Sequence, residues 1–90
     1  MIVKEIIYYK KFKKELKLLP LPLAKVAFEK EAIFKDNPLH PSLRIHELHG
    51  KLNGLWLISV NSRYRIIFKR QLDGSILFIS IGKHDLYRYL

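Results

Sequence analysis

Residues 63–84 read RYRIIFKRQLDGSILFISIGKH and carry the strongest structural signal in the chain. Two apolar runs flank Asp73-Gly74, and an Asp-Gly pair between such runs is typical of a tight β-hairpin turn. The residues upstream have the same strand character, interrupted at Gly50–Gly54 and at Asn61-Ser62. We therefore predict a meander of four strands at residues 43–48, 55–60, 63–70 and 76–84.

The N-terminal half predicts one strand and two helices. A short N-terminal strand is predicted at Ile2, Val3, Ile6 and Ile7. Apolar residues then recur at three- and four-residue steps from Tyr9 to Leu19, as on one face of an amphipathic helix. Pro20 ends this helix, and a second periodic segment runs from Leu23 to about Asp36. So short a link predicts an antiparallel helical hairpin. The fold class is therefore α+β, with the hairpin packed on one face of a mainly antiparallel sheet of four to five strands.

The composition limits the class of protein. Ninety residues suffice for a single domain, residues 1–90, and no apolar run reaches the ~18 residues of a membrane span. The chain has no cysteine and no apolar leader at its N-terminus, which suits a protein of the cytoplasm. Its 17 Lys and Arg residues against 8 Asp and Glu give a formal net charge of +9. That excess predicts a polyanionic partner: nucleic acid, an anionic membrane surface or an acidic protein.

Tight turns fix which residues face each other across the sheet. With two-residue turns, Arg65 would face Gly82 in the last strand. On its other side Arg65 would face Ile58, and Ile58 would face His46. One face would then be apolar and lie under the helices: Leu43, Ile45, Leu55, Leu57, Tyr64, Ile66, Phe68, Leu77, Ile79 and Ile81. The other face would be open to solvent: Arg44, His46, Leu48, Trp56, Ile58, Val60, Arg63, Arg65, Ile67, Ser80, Gly82 and His84.

The predicted open face has the side chains that RNA binding and cleavage require. Arginine holds phosphate through paired hydrogen bonds, aromatic rings stack on unpaired bases, and histidine moves protons near neutral pH. Each residue also has an ordinary interpretation. Arg63 and Arg65 would be solvated strand residues, Trp56 would belong to the core, and His84 would be a surface histidine. The functional interpretation depends on the register that brings these residues together.

The segment His46-Glu47-Leu48-His49 is superficially similar to a zinc-binding helix motif. The histidines of that motif are four residues apart on a helix. Here they are three apart in a predicted strand, where their rings would point to opposite faces. We therefore expect no metal site and no cofactor.

Motifs in a fixed order carry a family resemblance. They are His46-Glu47-Leu48-His49-Gly50-Lys51-Leu52-Asn53-Gly54-Leu55-Trp56, then Ser59-Val60, then Tyr64-Arg65-Ile66-Ile67-Phe68, then Ile81-Gly82-Lys83-His84-Asp85. Together with the helical hairpin that ends in proline, their order and spacing resemble the RelE/StbE branch of the RelE/ParE toxins, and its YafQ-like members in particular. These are toxins of type II toxin–antitoxin systems, and the resemblance extends over essentially the whole chain.

The resemblance implies a ribosome-dependent mRNA endonuclease that inhibits translation without a metal, through attack of a 2′-hydroxyl on the adjacent phosphate. It implies that Arg65 stabilises the scissile phosphate, that His84 is the general acid and that His46 helps to deprotonate the 2′-hydroxyl. Either Tyr87 or Tyr89 would stack on a base, since neither has the spacing from His84 that relatives show. We expect further RNA contacts from Arg44, Lys51, Trp56, Arg63, Lys83, Arg88 and Tyr89.

The same resemblance implies the partners. They are an acidic cognate antitoxin, the mRNA and the ribosome, with no membrane. The toxin alone would be monomeric and would form a hetero-oligomer with its antitoxin. Two alternatives stay open: a DNA gyrase inhibitor of the sister ParE branch, and a toxin-fold protein that binds an antitoxin without catalytic activity.

Overall fold

The computed structural model describes residues 1–83 and residue 85, which form a five-stranded sheet with two helices on one face. Its elements are β1 Glu5–Tyr8, α1 Lys10–Lys17, α2 Leu21–Asp36, β2 His46–Glu47, β3 Leu55–Ser59, β4 Tyr64–Arg70 and β5 Ser75–Lys83. The strands lie in the order β1-β5-β4-β3-β2, with β1 parallel to β5 and every other pair antiparallel. The predicted α+β fold, a helical hairpin on a mainly antiparallel sheet, is confirmed.

The core lies between the helices and the sheet. Phe34 of α2 meets Phe68 and Phe78 at ring-centroid distances of 5.0 and 5.7 Å, and all three rings are fully buried. Pro20 separates the helices and immediately precedes α2, where its fixed φ suits the start of a helix. Burial of this apolar face holds the hairpin against the sheet, since α1 has only eight residues and would be marginal alone.

The β4–β5 hairpin has a loop one residue longer than predicted. Gln71 donates from its N–H to the carbonyl of Ser75 at 2.9 Å, so Leu72, Asp73 and Gly74 form a three-residue loop. Gly74 has φ +93°, the left-handed conformation that closes such a loop. Asp73 accepts hydrogen bonds from the hydroxyl and the N–H of Ser75. These bonds hold the pKa of Asp73 below its ordinary value.

A β-bulge compensates for the longer loop. Phe68 pairs with Phe78, whereas Ile67 pairs with Ser80, so Ile79 is the extra residue of β5. Beyond the bulge the predicted register returns. The pairing of Arg65 with Gly82 is therefore confirmed, because two offsets of one residue cancel.

The predicted register between β3 and β4 is wrong by one residue. Val60 donates from its N–H to the carbonyl of Tyr64 at 2.9 Å, which leaves Asn61, Ser62 and Arg63 as a three-residue loop. Arg65 consequently pairs with Ser59 and not with Ile58. The slip exchanges the two faces of β3.

The face assignments change accordingly. Trp56, Ile58 and Val60 pack with the helix-side core, whereas Leu57 packs on the opposite face with Ile67, Leu48 and Leu55. Leu77 pairs with Lys69 on that opposite face as well, and Ile79 sits in the bulge. Residues on the predicted helix-side face that are confirmed there are Leu43, Ile45, Tyr64, Ile66, Phe68 and Ile81.

The predicted strand at residues 43–48 is largely a turn. Pro41–Leu43 forms a short 3-10 helix, and Arg44 follows with φ 47° in the left-handed region. Pairing with β3 begins at His46–Glu47 and continues with a hydrogen bond from the N–H of Leu48 to the carbonyl of Leu55. His46 lies opposite Leu57 instead of the predicted Ile58. Proline at the first turn and the left-handed residue after it keep the chain from pairing earlier.

Candidate functional site

Arg65 is the second residue of β4, the central strand of the sheet, and it lies close to the β3–β4 loop. Its cross-strand partners are Ser59 on β3 and Gly82 on β5, and its side chain is half-buried. Pairing and alternation place these three residues on the face opposite the helices. Arg65 thus stands directly beside the strand segment that leads into Lys83 and His84.

The guanidinium of Arg65 is oriented by the β3–β4 loop. Its Nη1 donates to the carbonyl of Asn61 at 2.7 Å and to the carbonyl of Tyr64 at 3.1 Å. The loop is itself fixed, because Asn61 Oδ1 accepts from the N–H of Arg63 at 2.9 Å and from that of Tyr64 at 2.8 Å. One end of the guanidinium is therefore held in place, which lowers the entropic cost of positioning its other N–H groups on a phosphate.

His46 shares this face with Arg65. Its partner Leu57 is two residues from Ser59 on β3, and Ser59 pairs with Arg65. Strands about 4.8 Å apart and a rise of about 3.4 Å per residue put the Cα atoms of His46 and Arg65 about 12 Å apart. The His46 side chain is exposed. The prediction that these two residues share a face is confirmed, although they lie in neighbouring rows and not in the same row.

The floor between them is covered, contrary to the prediction of an open apolar face. Leu57 is 4% exposed and Ile67 is fully buried, with Leu48 and Leu55 packed against them. Leu48 follows β2 directly and donates its N–H to the carbonyl of Leu55 at 2.8 Å, so it lies beside this patch. A ligand on this face would therefore meet polar and cationic side chains instead of an open apolar platform.

Trp56 does not lie on the predicted face. It packs beside Phe68 on the helix side, with ring centroids 6.4 Å apart, and the guanidinium of Arg70 lies 5.4 Å from its ring centroid. The one-residue slip in β3 accounts for the change, because it turns alternate side chains to the other face. The ordinary interpretation of this residue, as part of the core, is the one that the packing supports.

The remaining predicted cations lie at different places. Arg63 is exposed in the β3–β4 loop, and Arg44 is exposed beside the same loop, so these two accompany Arg65. Lys51 is exposed in a 3-10 turn between β2 and β3. Lys83 ends β5 opposite Tyr64. The predicted roles of His84, Tyr87, Arg88 and Tyr89 fall outside the described residues.

A polar cluster that sequence reasoning missed joins α1 to β5. Glu15 Oε1 accepts from the Ser80 hydroxyl at 2.7 Å and from the Ile81 N–H at 3.2 Å. Glu15 Oε2 accepts from Lys11 Nζ at 2.7 Å. Because β1 ends at Tyr8, the carboxylate takes the place of a neighbouring strand at this part of β5. The four-residue spacing of Lys11 and Glu15 was visible in the sequence, but it predicts only an ordinary helix pair.

A second polar pair lies under the helices. The hydroxyl of Tyr8 donates a hydrogen bond to Glu31 of α2 at the rim of an apolar cavity of about 310 Å³. Burial raises the pKa of Tyr8 above its ordinary value of 10.0, and the Glu31 carboxylate raises it further. The pair lies on the opposite side of the sheet from Arg65, so it stabilises the fold at a distance from the candidate site.

Two general features of the described residues bear on the possible chemistry. No group of three or more His, Cys, Asp or Glu side chains among them could hold a metal ion. No helix in the described part of the chain is long and apolar enough to cross a membrane.

Comparison with solved structures identifies the fold. YafQ from E. coli superposes with a TM-score of 0.75 at 21% identity, over 91% of this chain and 94% of that one. The archaeal RelE–RelB complex from Pyrococcus horikoshii contains a chain that matches with a TM-score of 0.72 at 19% identity, over 94% of this chain and 98% of that one. A YoeB/ParE toxin from Agrobacterium tumefaciens matches with a TM-score of 0.76 at 12% identity, over 89% and 98%.

No protein-family model matches the sequence, and no curated protein does. The chain therefore has the fold of the RelE, YafQ and YoeB toxins, as the motifs indicated, at sequence identities that establish the fold alone.

Proposed function

We propose that this chain is the toxin of a type II toxin–antitoxin system and that it cleaves mRNA on the translating ribosome. The observation that carries the proposal is the position of Arg65. It is oriented by the β3–β4 loop, shares a face with His46 and pairs with Gly82, two residues before His84. The fold shared with YafQ and RelE supports the same assignment.

The chemistry needs three groups around one phosphate. In the proposed step the ribose 2′-oxygen bonds to the adjacent phosphorus while the bond from phosphorus to the 5′-oxygen breaks. The products are a 2′,3′-cyclic phosphate and a 5′-hydroxyl. His46 takes the proton from the 2′-hydroxyl, His84 gives a proton to the leaving 5′-oxygen, and Arg65 stabilises the charge on the phosphoryl oxygens. No metal is needed.

Dependence on the ribosome follows from the openness of the site. His46 and Arg65 are about 12 Å apart at Cα, spread over one surface of the sheet. Such a surface aligns a flexible RNA poorly by itself, and alignment of the reacting atoms accounts for a large part of catalysis. A ribosome that presents a fixed stretch of mRNA would supply that alignment.

An acidic antitoxin is the proposed protein partner. The chain carries a formal net charge of +9, and large apolar side chains of the helical hairpin are exposed: Leu18, Leu21 and Phe28. The similar chain from Pyrococcus horikoshii was solved in complex with RelB. A partner that buries apolar surface as well as neutralising charge should stay bound at moderate salt, because apolar burial is little screened.

A reporter mRNA with and without a start codon tests the function. Brief induction of the protein should produce cuts inside the translated frame, mapped by primer extension, while the untranslated copy stays intact. Intact mRNA together with an immediate DNA-damage response would favour a gyrase inhibitor. Intact mRNA and normal growth would favour a toxin-fold protein that lacks activity.

A further inference from the structure

A polar cavity of about 200 Å³ lies at the edge of the sheet, between α2, the 3-10 turn before β2, and the β3–β4 loop. The polar residues that line it are Lys30, Ser42, Arg44, Ser59, Asn61 and Ser62. It is separate from the apolar cavity beneath the helices, and the function proposed above makes no use of it.

The cavity exists because β2 is short. Pairing of β2 with β3 stops at His46 opposite Leu57, since Arg44 turns the chain away with φ 47°. Val60 donates its N–H to Tyr64 on the β4 side. Backbone groups alternate along a strand, so the N–H of Ser59 points the other way, to the edge that β2 has left.

The lining is rich in hydrogen-bond donors and positive charge. Lys30 and Arg44 supply two cations, the other polar residues of the lining are neutral, and none of the described residues that line the cavity is acidic. Lys30 of α2 is half-buried and lines the cavity. A pocket of this composition favours an oxyanion.

The cavity adjoins Arg65 through two shared residues. Ser59 lines it and is the cross-strand partner of Arg65. Asn61 lines it and accepts the hydrogen bond from Arg65 Nη1. Two cationic positions on either side of one loop match the successive phosphates of a single RNA strand better than isolated carboxylates of a protein.

We propose that this cavity binds a backbone phosphate of the RNA, next along the strand from the phosphate held by Arg65. The inference rests on the proposed function and adds a subsite to it, with Lys30 and Arg44 as the charged ligands. These residues position the strand and take no part in the transfer of protons.

The test is a binding titration without ribosomes, so it is independent of cleavage. The probe is a short single-stranded 2′-O-methyl oligouridylate, which cannot undergo attack by its own 2′-oxygen. The test variant combines Lys30→Gln with Arg44→Asn, because asparagine tolerates the left-handed backbone at this position. The control combines Lys25→Gln with Lys35→Gln, which removes the same charge from exposed positions of α2.

The pocket variant should bind severalfold more weakly than the control, and its plot of log affinity against log salt should lose about 0.7 in slope for the lost phosphate contact. Ser62→Asp, an exposed loop change, should weaken binding in the same direction. Equal slopes for the pocket and control variants would overturn the proposal, as would the absence of measurable binding by the parent at low salt.

An oligoglutamate peptide separates RNA from protein carboxylates as the occupant. The pocket and control variants should lose affinity for it equally. If the pocket variant loses peptide binding selectively and keeps RNA binding, the cavity serves an acidic protein and the proposal is wrong. These titrations can be interpreted even if the reporter mRNA is not cleaved. The proposal of mRNA cleavage and the proposal of a phosphate site can therefore fail separately.

Discussion

Arg65 and Gly82 are direct cross-strand partners on β4 and β5, and Arg65 Nη1 is hydrogen-bonded to the β3–β4 loop. The loop therefore orients Arg65 from one side, and Gly82 places no side chain beside it on the other. The segment Gly82-Lys83-His84 continues from that position. A change at Arg65 and a change at His84 should therefore affect the same phosphate.

The double variant Arg65→Ala with His84→Gln tests that coupling. Glutamine keeps a hydrogen-bond donor but cannot act as an acid, so each single change should lower the rate of translation-coupled cleavage. Together they should cost less than the sum of their separate effects on the activation free energy, because residues that act on one phosphate are not additive. Full additivity in a single-turnover assay would mean that the two residues act independently.

Glu15 should hold the end of β5 in place. Glu15→Ala removes the acceptor for the Ser80 hydroxyl and the Ile81 N–H. We expect it to lower the free energy of unfolding by about 1–3 kcal/mol and to accelerate hydrogen exchange at the Ile81 amide. Glu15→Gln keeps an acceptor oxygen and should preserve part of the protection. Glu29→Ala on the exposed side of α2 is the control, and equal exchange of Ile81 in all variants would contradict the tether.

Trp56 should matter more for stability than for RNA binding. It packs beside Phe68 on the helix side, so Trp56→Ala should destabilise by about 2–3 kcal/mol in urea unfolding, less than for a fully buried tryptophan. The exposed aromatic Tyr9 provides a control, and Tyr9→Ala should stay within about 0.5 kcal/mol. A stable Trp56→Ala protein that no longer binds RNA would indicate that Trp56 contacts RNA and would contradict this expectation.

Sequence reasoning succeeded for the order of elements and for the Arg65–Gly82 pair, and it failed for the faces of β3. The failure has a physical cause: Leu55, Trp56, Leu57 and Ile58 are all apolar, so periodicity does not distinguish the helix side from the other side. Register then depends on whether the loop after Val60 has two residues or three, and Asn61 permits both.

The bulge at Ile79 was equally hidden from sequence reasoning. Ile76, Leu77, Phe78 and Ile79 are consecutive apolar residues, and a bulge leaves no signature in such a run. The pairing of Arg65 with Gly82 was predicted correctly only because the bulge offset the longer Gly74 loop. The cavity beside Arg44 was also unforeseen, since it depends on where β2 ends.

We expect the free energy of unfolding to decrease at alkaline pH because of Tyr8. The folded state favours the neutral phenol, so the pKa of Tyr8 is raised above its ordinary value of 10.0. The contribution of Tyr8 to the free energy of unfolding is therefore fully present below pH 10.0. As the pH rises above that value, the unfolded chain loses the proton first and the contribution declines. Urea unfolding at a series of pH values should show this decline in the parent and in Tyr9→Phe, and a smaller one in Tyr8→Phe. Identical profiles for Tyr8→Phe and the parent would contradict the Tyr8–Glu31 pair.

We expect Arg65 to serve catalysis, which can be measured as translation-coupled cleavage by Arg65→Ala. The lost hydrogen bonds to the loop should cost about 1 kcal/mol of stability. Ile66→Ala, at a core position that is 1% exposed, should cost roughly 2–5 kcal/mol. At a temperature where a melt shows all three proteins folded, Arg65→Ala should cut the translated reporter on the order of 10²–10³ times more slowly than the parent. Ile66→Ala should cut at nearly the parent rate. A folded Arg65→Ala protein that cuts at the parent rate would show that Arg65 has no catalytic role.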